Sequence, residues 1–140
     1  MLDAPGAFAS THERERAEPD DRWRDRVARR ACFVAEVDGE PAGLAIGTPS
    51  YDGLPARRDL ISLWVPPEHR GHGIAAALVA AVVAWADRDG AREVALWAAD
   101  GNTAAAAVYR RAGFAPTGRR QPLPSNPATN EEEWVRTVPR

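Results

Sequence analysis

The segment Arg70-Gly71-His72-Gly73-Ile74-Ala75 lies between an apolar run and a stretch with helical periodicity. Its residue types suit the holding of phosphate. Glycines let a backbone approach a ligand closely and take angles that other residues resist. A helix start offers unpaired N–H groups and a partial positive charge, a seat for anionic oxygens. Arg70 adds a permanent cation at the same mouth. Two other readings compete. Gly71, Gly73 and Ala76 also satisfy G-x-G-x-x-A, a dinucleotide fingerprint. That motif wants its glycine turn directly after the strand, whereas residues 66–70 intervene here, and no acidic residue ends the next strand to bind a ribose. The third reading is a glycine-rich turn with no ligand.

Asn102 and Tyr109 stand seven residues apart, two helical turns, and so share a helix face. Asn102 suits a helix N-cap. Tyr109 can pack its ring in a core, and its phenol can donate a proton to a departing group. Asp59 is a carboxylate at the start of an apolar run, and period-two alternation puts it on the same strand side as Leu63 and Val65. Glu68, His69 and His72 are mixed donors without metal-ligand spacing, so no metal is expected. Cys32 is the single cysteine; it excludes an internal disulfide and reads as a small core residue.

The elements that position these residues follow from pattern. Pro19-Asp20-Asp21 marks a helix start, and two short helices are expected within residues 5–30. Residues 32–37 form a strand, Asp38-Gly39 a hairpin turn and residues 41–47 the return strand. Residues 48–58 read as a loop, and residues 60–65 as a strand buried on both faces and stopped by Pro66-Pro67. A helix over residues 74–88 carries the stripe Ile74, Leu78, Val82 and Trp85, with Gly90 beyond its end. A strand over 93–98, a helix over 102–112 closed by Gly113, and a strand from Phe114 follow. Residues 118–130, with three prolines, read as a long loop before a last strand over 132–138.

In this order and spacing, the buried strand, the loop Arg70-x-x-Gly73-x-Ala75 and the Asn102–Tyr109 helix resemble the cofactor half of the GNAT superfamily, acyl-CoA-dependent N-acetyltransferases. The similarity in element order, α α β β β α β α β β, covers nearly the whole chain. It implies an α/β fold: a mixed, mostly antiparallel sheet flanked by helices and split to admit acetyl-CoA as cosubstrate. By resemblance, Arg70, Gly71, His72, Gly73, Ile74 and Ala75 hold the pyrophosphate, and the backbone of Leu63 and Val65 pairs with the pantetheine arm. A main-chain N–H there also polarises the thioester carbonyl. Asn102 matches a position that contacts the arm, and Tyr109 the position of the usual general acid. Asp59 matches the strand position where histone-acetylating members carry a glutamate base. Aspartate is a methylene shorter and many members use a water chain, so the base stays open between Asp59 and water. The family usually begins with a strand ahead of its first helices. Almost nothing precedes Pro5, so that strand is expected to be missing or the start codon to be placed too late.

The resemblance implies acetyl transfer to a primary amine, on a small molecule or on a peptide or protein, by direct attack in a ternary complex. The alternative is a non-catalytic acyl-CoA-binding or protein-interaction module with the same fold. Arg57, Arg58, Arg119 and Arg120, in or beside two loops, suggest an acceptor bearing carboxylate or phosphate, or else an ordinary solvated surface. The totals set the frame: 140 residues suit one domain, and 44% hydrophobic with 27% charged residues read as globular. A net charge of −2 gives no broad attraction to nucleic acid or to an anionic membrane. No apolar stretch has membrane-spanning length and the first residues lack a signal peptide's pattern, which points to the cytoplasm. A homodimer is compatible with these features. All 18 basic Lys+Arg side chains are arginine.

Overall fold

The computed structural model describes residues 28–138; the helices expected within residues 5–30 and the question of a first strand lie outside them. Strands β1 (Ala31–Val37) and β2 (Glu40–Pro49) form a hairpin. Its turn has positive φ at both Asp38 (53°) and Gly39 (81°), the handedness that matches the twist of the flanking strands. β3 (Arg57–Leu60) runs antiparallel to β2, and a 3-10 turn (Pro67–His69) leads into helix α1 (Ile74–Arg88). β4 (Glu93–Ala99), α2 (Thr103–Arg111), β5 (Ala115–Leu123) and β6 (Asn126–Thr137) complete the order. The six strands lie in one sheet ordered β1-β2-β3-β4-β6-β5. Only β3 and β4 are parallel neighbours; the rest are antiparallel, as the expected fold requires.

Both described helices pack on one sheet face, where Ala45, Leu60, Val65, Leu78, Val79, Val82, Leu96, Tyr109 and Trp134 form one core. Gly47 is what lets α1 lie flat there: a Cβ on it would stand 2.5 Å from the Trp85 ring. Arg58 ties the far end of α1 to the sheet, with Nε donating to Asp89 Oδ2 and an Nη to Asp89 O, both at 2.8 Å.

Four expectations of the fold need correction. Cys32, read as a core residue, is exposed on β1, where alternate side chains face away from the core. The apolar run 60–65 is not one continuous strand. β3 stops at Leu60, which pairs with Gly47; Ile61 N still donates to Ile46 O at 2.9 Å, and the regular pairing returns only at an isolated bridge, Leu44 with Trp64. Three residues on one side (61–63) therefore face two on the other (45–46), which is a β-bulge. The stretch 48–58 is loop only over 50–56, since β2 reaches Pro49 and β3 begins at Arg57. Residues 118–130 are mostly strand, a β5–β6 hairpin. Pro116, Gly118 and Pro122 are accommodated because β5 is an edge strand whose register shifts near both prolines.

Candidate active site

The parallel pair β3–β4 holds register only through Asp59↔Ala95. Beyond it the chain after β3 follows β2, while β4 continues beside β6 to Ala99. The sheet parts there, and a cleft of about 470 Å³ opens between Leu63–Val65, the loop before α1, and the first turns of both helices. Arg70, Gly71, Gly73, Ile74, Ala75 and Asn102 all line it, with Val108 and Arg111 from α2.

The bulge decides which backbone groups meet the cleft. Trp64 gives its N–H to Leu44 O and accepts from Leu44 N–H, both at 2.9 Å. By alternation its neighbours turn their main-chain groups away from β2. Among the described residues, the N–H groups of Leu63 and Val65 have no backbone partner. Val65 O accepts from Arg70 Nε at 3.0 Å, so Arg70 is anchored at the cleft mouth by the strand it follows.

Facing this strand, the loop delivers α1. Gly71 (φ 82°) and Gly73 (φ 77°) are both left-handed, and a Cβ on either would meet nothing within 4 Å. Packing therefore does not demand glycine at these two positions; the backbone angle does, and the space above them is open. Gly73 caps α1 without a side-chain hydrogen bond, and the first backbone bond of the helix runs from Ala77 N to Gly73 O. The N–H groups of Ile74, Ala75 and Ala76 are thus left for a ligand at the positive end of the helix. A pyrophosphate fits this cradle and an acylated pantetheine fits the donors at the bulge. His72 is exposed and is not part of the cleft wall.

Asn102 caps α2, with Oδ1 accepting from Ala105 N at 3.1 Å, and the residue lines the cleft. Tyr109 is buried at 7% exposure, packed against Phe114 and Trp134 at 6.2 and 6.3 Å between ring centroids. Burial pushes its phenol up to about 12. Neither Tyr109 nor Asp59 is among the residues lining the cleft.

Asp59 lies on the other face of the sheet from Leu63 and Val65, which corrects the period-two expectation. Asp59 pairs with Thr48 and Trp64 with Leu44, and Thr48 and Leu44 share a side of β2. The bulge inserts one residue, so Trp64 rather than Leu63 or Val65 shares the face of Asp59. Its buried carboxylate accepts from Tyr51 N–H at Oδ2 (3.0 Å), and Oδ1 stands 3.6 Å from Arg57 Nε.

On that face the structure also shows a cluster absent from the sequence expectations. Arg57 donates to Glu133 Oε2 at 2.6 Å, reaching over β4 to β6. Thr117 and Arg119 donate to the same carboxylate at 2.9 and 3.0 Å. Burial alone pushes the Glu133 carboxyl up, but these hydrogen bonds and the charges of Arg57 and Arg119 outweigh it and hold it below the ordinary value. Burial likewise opposes the charge on Arg57, and Glu133 and Asp59 more than restore it. The four arginines that suggested an anionic acceptor are all engaged: Arg57 and Arg119 with Glu133, Arg58 with Asp89, Arg120 with Asp100. No local pattern reveals the Arg57–Glu133 pair, because its partners are 76 residues apart.

Among the described residues no helix is long and apolar enough to cross a membrane, and no group of three metal-ligating side chains is present. An uncharacterized N-acetyltransferase of Methanocaldococcus jannaschii is 30% identical over 96 residues, 66% of this chain and 42% of that protein. The chain spans less than half the length of its other curated relatives as well. Among solved structures, nourseothricin acetyltransferase superposes with a TM-score of 0.72 at 28% identity, covering 87% of this chain and 69% of that one. A Bacillus anthracis acetyltransferase solved with acetyl coenzyme A gives 0.70 at 18% identity, over 79% and 64%, and so speaks for the fold alone. The sequence model of the acetyltransferase (GNAT) family matches residues 3–114, which takes in the parted strands, the glycine loop and all of α2. The chain belongs to that family.

Proposed function

We propose that residues 1–140 form one N-acetyltransferase domain that moves an acetyl group from acetyl-CoA to a primary amine by direct attack in a ternary complex. One observation carries this reading. Outward main-chain donors at Leu63 and Val65 and unpaired donors at the start of α1 belong to residues that line a single cleft. That arrangement suits a thioester at one end and a pyrophosphate at the other. The absence of a membrane-crossing helix among the described residues is in keeping with a cytoplasmic setting.

In the reaction an ammonium acceptor first loses a proton, and its nitrogen lone pair attacks the thioester carbonyl. The oxyanion leans on main-chain N–H at the bulge, where donors fixed by the Leu44–Trp64 pairing cost no reorganisation. The C–S bond then breaks, the nitrogen gives up its second proton, and the thiolate takes one. The net result is amide, free thiol and one proton released. Tyr109 is the proposed donor to the sulfur, and the pKa values limit how it acts. Full transfer from a phenol near 12 to a thiolate of pKa about 8.5 is uphill by roughly 5 kcal/mol. Its contribution is therefore a hydrogen bond held at all physiological pH values, with protonation completed as the thiolate leaves. Proton removal from the amine falls to Asp59 or to water. The test is mass spectrometry of an amine panel incubated with acetyl-CoA and the purified chain. An acetylated product with release of one thiol per amide supports the reading; acetyl-CoA binding without any product overturns it.

A further inference from the structure

The cleft is basic in a chain whose net charge is −2. Among the described residues that line it, Arg70, Arg111 and His69 are the basic members, and none is an aspartate or glutamate. Arg70 and His69 belong to the segment before α1, and Arg70 is anchored there through Nε on Val65 O. Arg111 comes from the opposite wall, the last turn of α2.

Helical spacing brings Arg111 to that wall. Ala104, Val108 and Arg111 recur at i, i+4 and i+7 and so share a face, which with Ala105 is the cleft side of α2. Its alanines let a ligand lie close to the helix. The stripe starts at the Asn102 cap and ends on Arg111, roughly 13.5 Å further along the axis. The two arginines of the last turn differ in their surroundings. Arg110 sets its guanidinium 5.2 Å from the centroid of the Trp134 ring. Arg111 is exposed, and its guanidinium has no hydrogen bond, ion pair or ring contact among the described residues. A helix C-terminus favours any cation, and both arginines satisfy that preference; only Arg111 also lines the cleft.

Acetyl-CoA carries two kinds of phosphate. The start of α1 and Arg70 answer to the pyrophosphate, which leaves the monoester on the ribose 3′ oxygen. Such a group bears a charge of about −1.5 to −2 at pH 7 and offers three acceptor oxygens. We propose that Arg111 binds this 3′-phosphate, with its planar fork giving two parallel N–H donors to the monoester oxygens. Arg111 is the cleft cation that the pyrophosphate cradle does not use, and it stands at the end of the α2 stripe remote from Asn102, as the nucleotide is remote from the thiol. The inference rests on the N-acetyltransferase reading above and names the class of acyl donor: a thioester borne on a 3′-phosphorylated nucleotide. The same acetyl group on the phosphopantetheine of a carrier protein, which has no nucleotide, is a poor donor.

The test is calorimetry on the full chain with CoA and with dephospho-CoA, which lacks only the 3′-phosphate. The parent is expected to bind CoA about tenfold tighter, as a charge-assisted pair allows. Raising the salt from about 0.05 M to about 0.5 M should narrow that ratio, because the contact is exposed. Arg111→Met keeps the length of the stem and removes the charge. It should bind dephospho-CoA as the parent does and prefer CoA by no more than about twofold, while Arg111→Lys should restore part of the preference. Equal affinities in the parent, or a parental ratio in Arg111→Met, overturn the assignment and leave the acyl-CoA site standing. An equal loss of both nucleotides in Arg111→Met gives Arg111 a packing role and overturns it too. Failure of the parent to bind either nucleotide overturns the acyl-CoA reading itself, and this inference with it.

Discussion

Gly43 offers a way to move the bulge without touching a residue that faces the ligand. It pairs with Ala35 on β1, and a Cβ built on it would stand 2.9 Å from Trp64 O, 3.1 Å from Leu78 Cδ1 and 3.3 Å from Ile74 Cγ2. Ordinary contact begins near 3.4 Å, so Gly43→Ala forces the Trp64 peptide back by about 0.5 Å or breaks its pairing with Leu44. Leu78 is a buried side chain and gives little. Overpacking of this kind costs about 1–3 kcal/mol of stability. The same shift carries the N–H groups of Leu63 and Val65. If both lose their ligand contacts, at about 0.5–1.5 kcal/mol each, acetyl-CoA affinity falls by roughly fivefold to 150-fold. Gly47→Ala is the control, because its Cβ meets Trp85 and Val82 with tighter crowding (2.5 Å at the closest) but nothing at the bulge, and it lacks the backbone strain that φ 156° adds at Gly43. Urea denaturation and calorimetric titration with acetyl-CoA measure the two effects separately. Gly47→Ala should lose stability and keep its affinity, and Gly43→Ala should lose both. A Gly43→Ala protein with lowered stability and parental acetyl-CoA affinity would show that the bulge donors do not hold the cosubstrate.

Gly73→Glu puts an L-residue at φ 77°, strained by about 1–2 kcal/mol, and sets a carboxylate against the start of α1. Calorimetry should show acetyl-CoA affinity reduced at least tenfold, and an unchanged value would remove the loop from the phosphate site. Tyr109→Phe should slow single-turnover acetylation at saturating acetyl-CoA by at least ~10-fold, the low side of the range for a lost acid; equal rates would make Tyr109 a packing residue. The same variant tests the pKa. A folded value of about 12, above the ordinary tyrosine value of about 10, gives stability that is complete below pH 10 and lost as pH rises towards 12, up to about 3 kcal/mol. The phenylalanine variant should lack that alkaline loss in denaturation curves. Asp59→Asn should flatten the acid limb of the pH–rate profile while sparing acetyl-CoA affinity, and a profile superimposable on the parent's gives the proton to water.

Local rules made much of this legible. The span 74–88 of α1 follows from its apolar stripe and the glycines at its ends, and the β1–β2 hairpin from Asp38-Gly39. Gly71 and Gly73 had the left-handed angles that glycine usually signals. What failed depended on partners distant in sequence. The run 60–65 is uniformly apolar, so nothing in its composition marks an inserted residue, and the face of Asp59 was inverted as a result. Prolines in β5 read as loop because an edge position cannot be seen locally. The pairing of Arg57 with Glu133 exists only because β4 lies between their strands.

The bulge has a bearing on how this cleft responds to mutation. The grip proposed at Leu63 and Val65 uses main-chain atoms, which every residue except proline supplies alike. Side-chain drift there can reshape the wall yet cannot delete a donor, so a substitution scan of residues 63 and 65 should report mostly packing. A ligand designed to bridge those two N–H groups would therefore face few escape routes. Resistance by substitution would have to come through proline, or through positions such as Gly43 that push the backbone from behind.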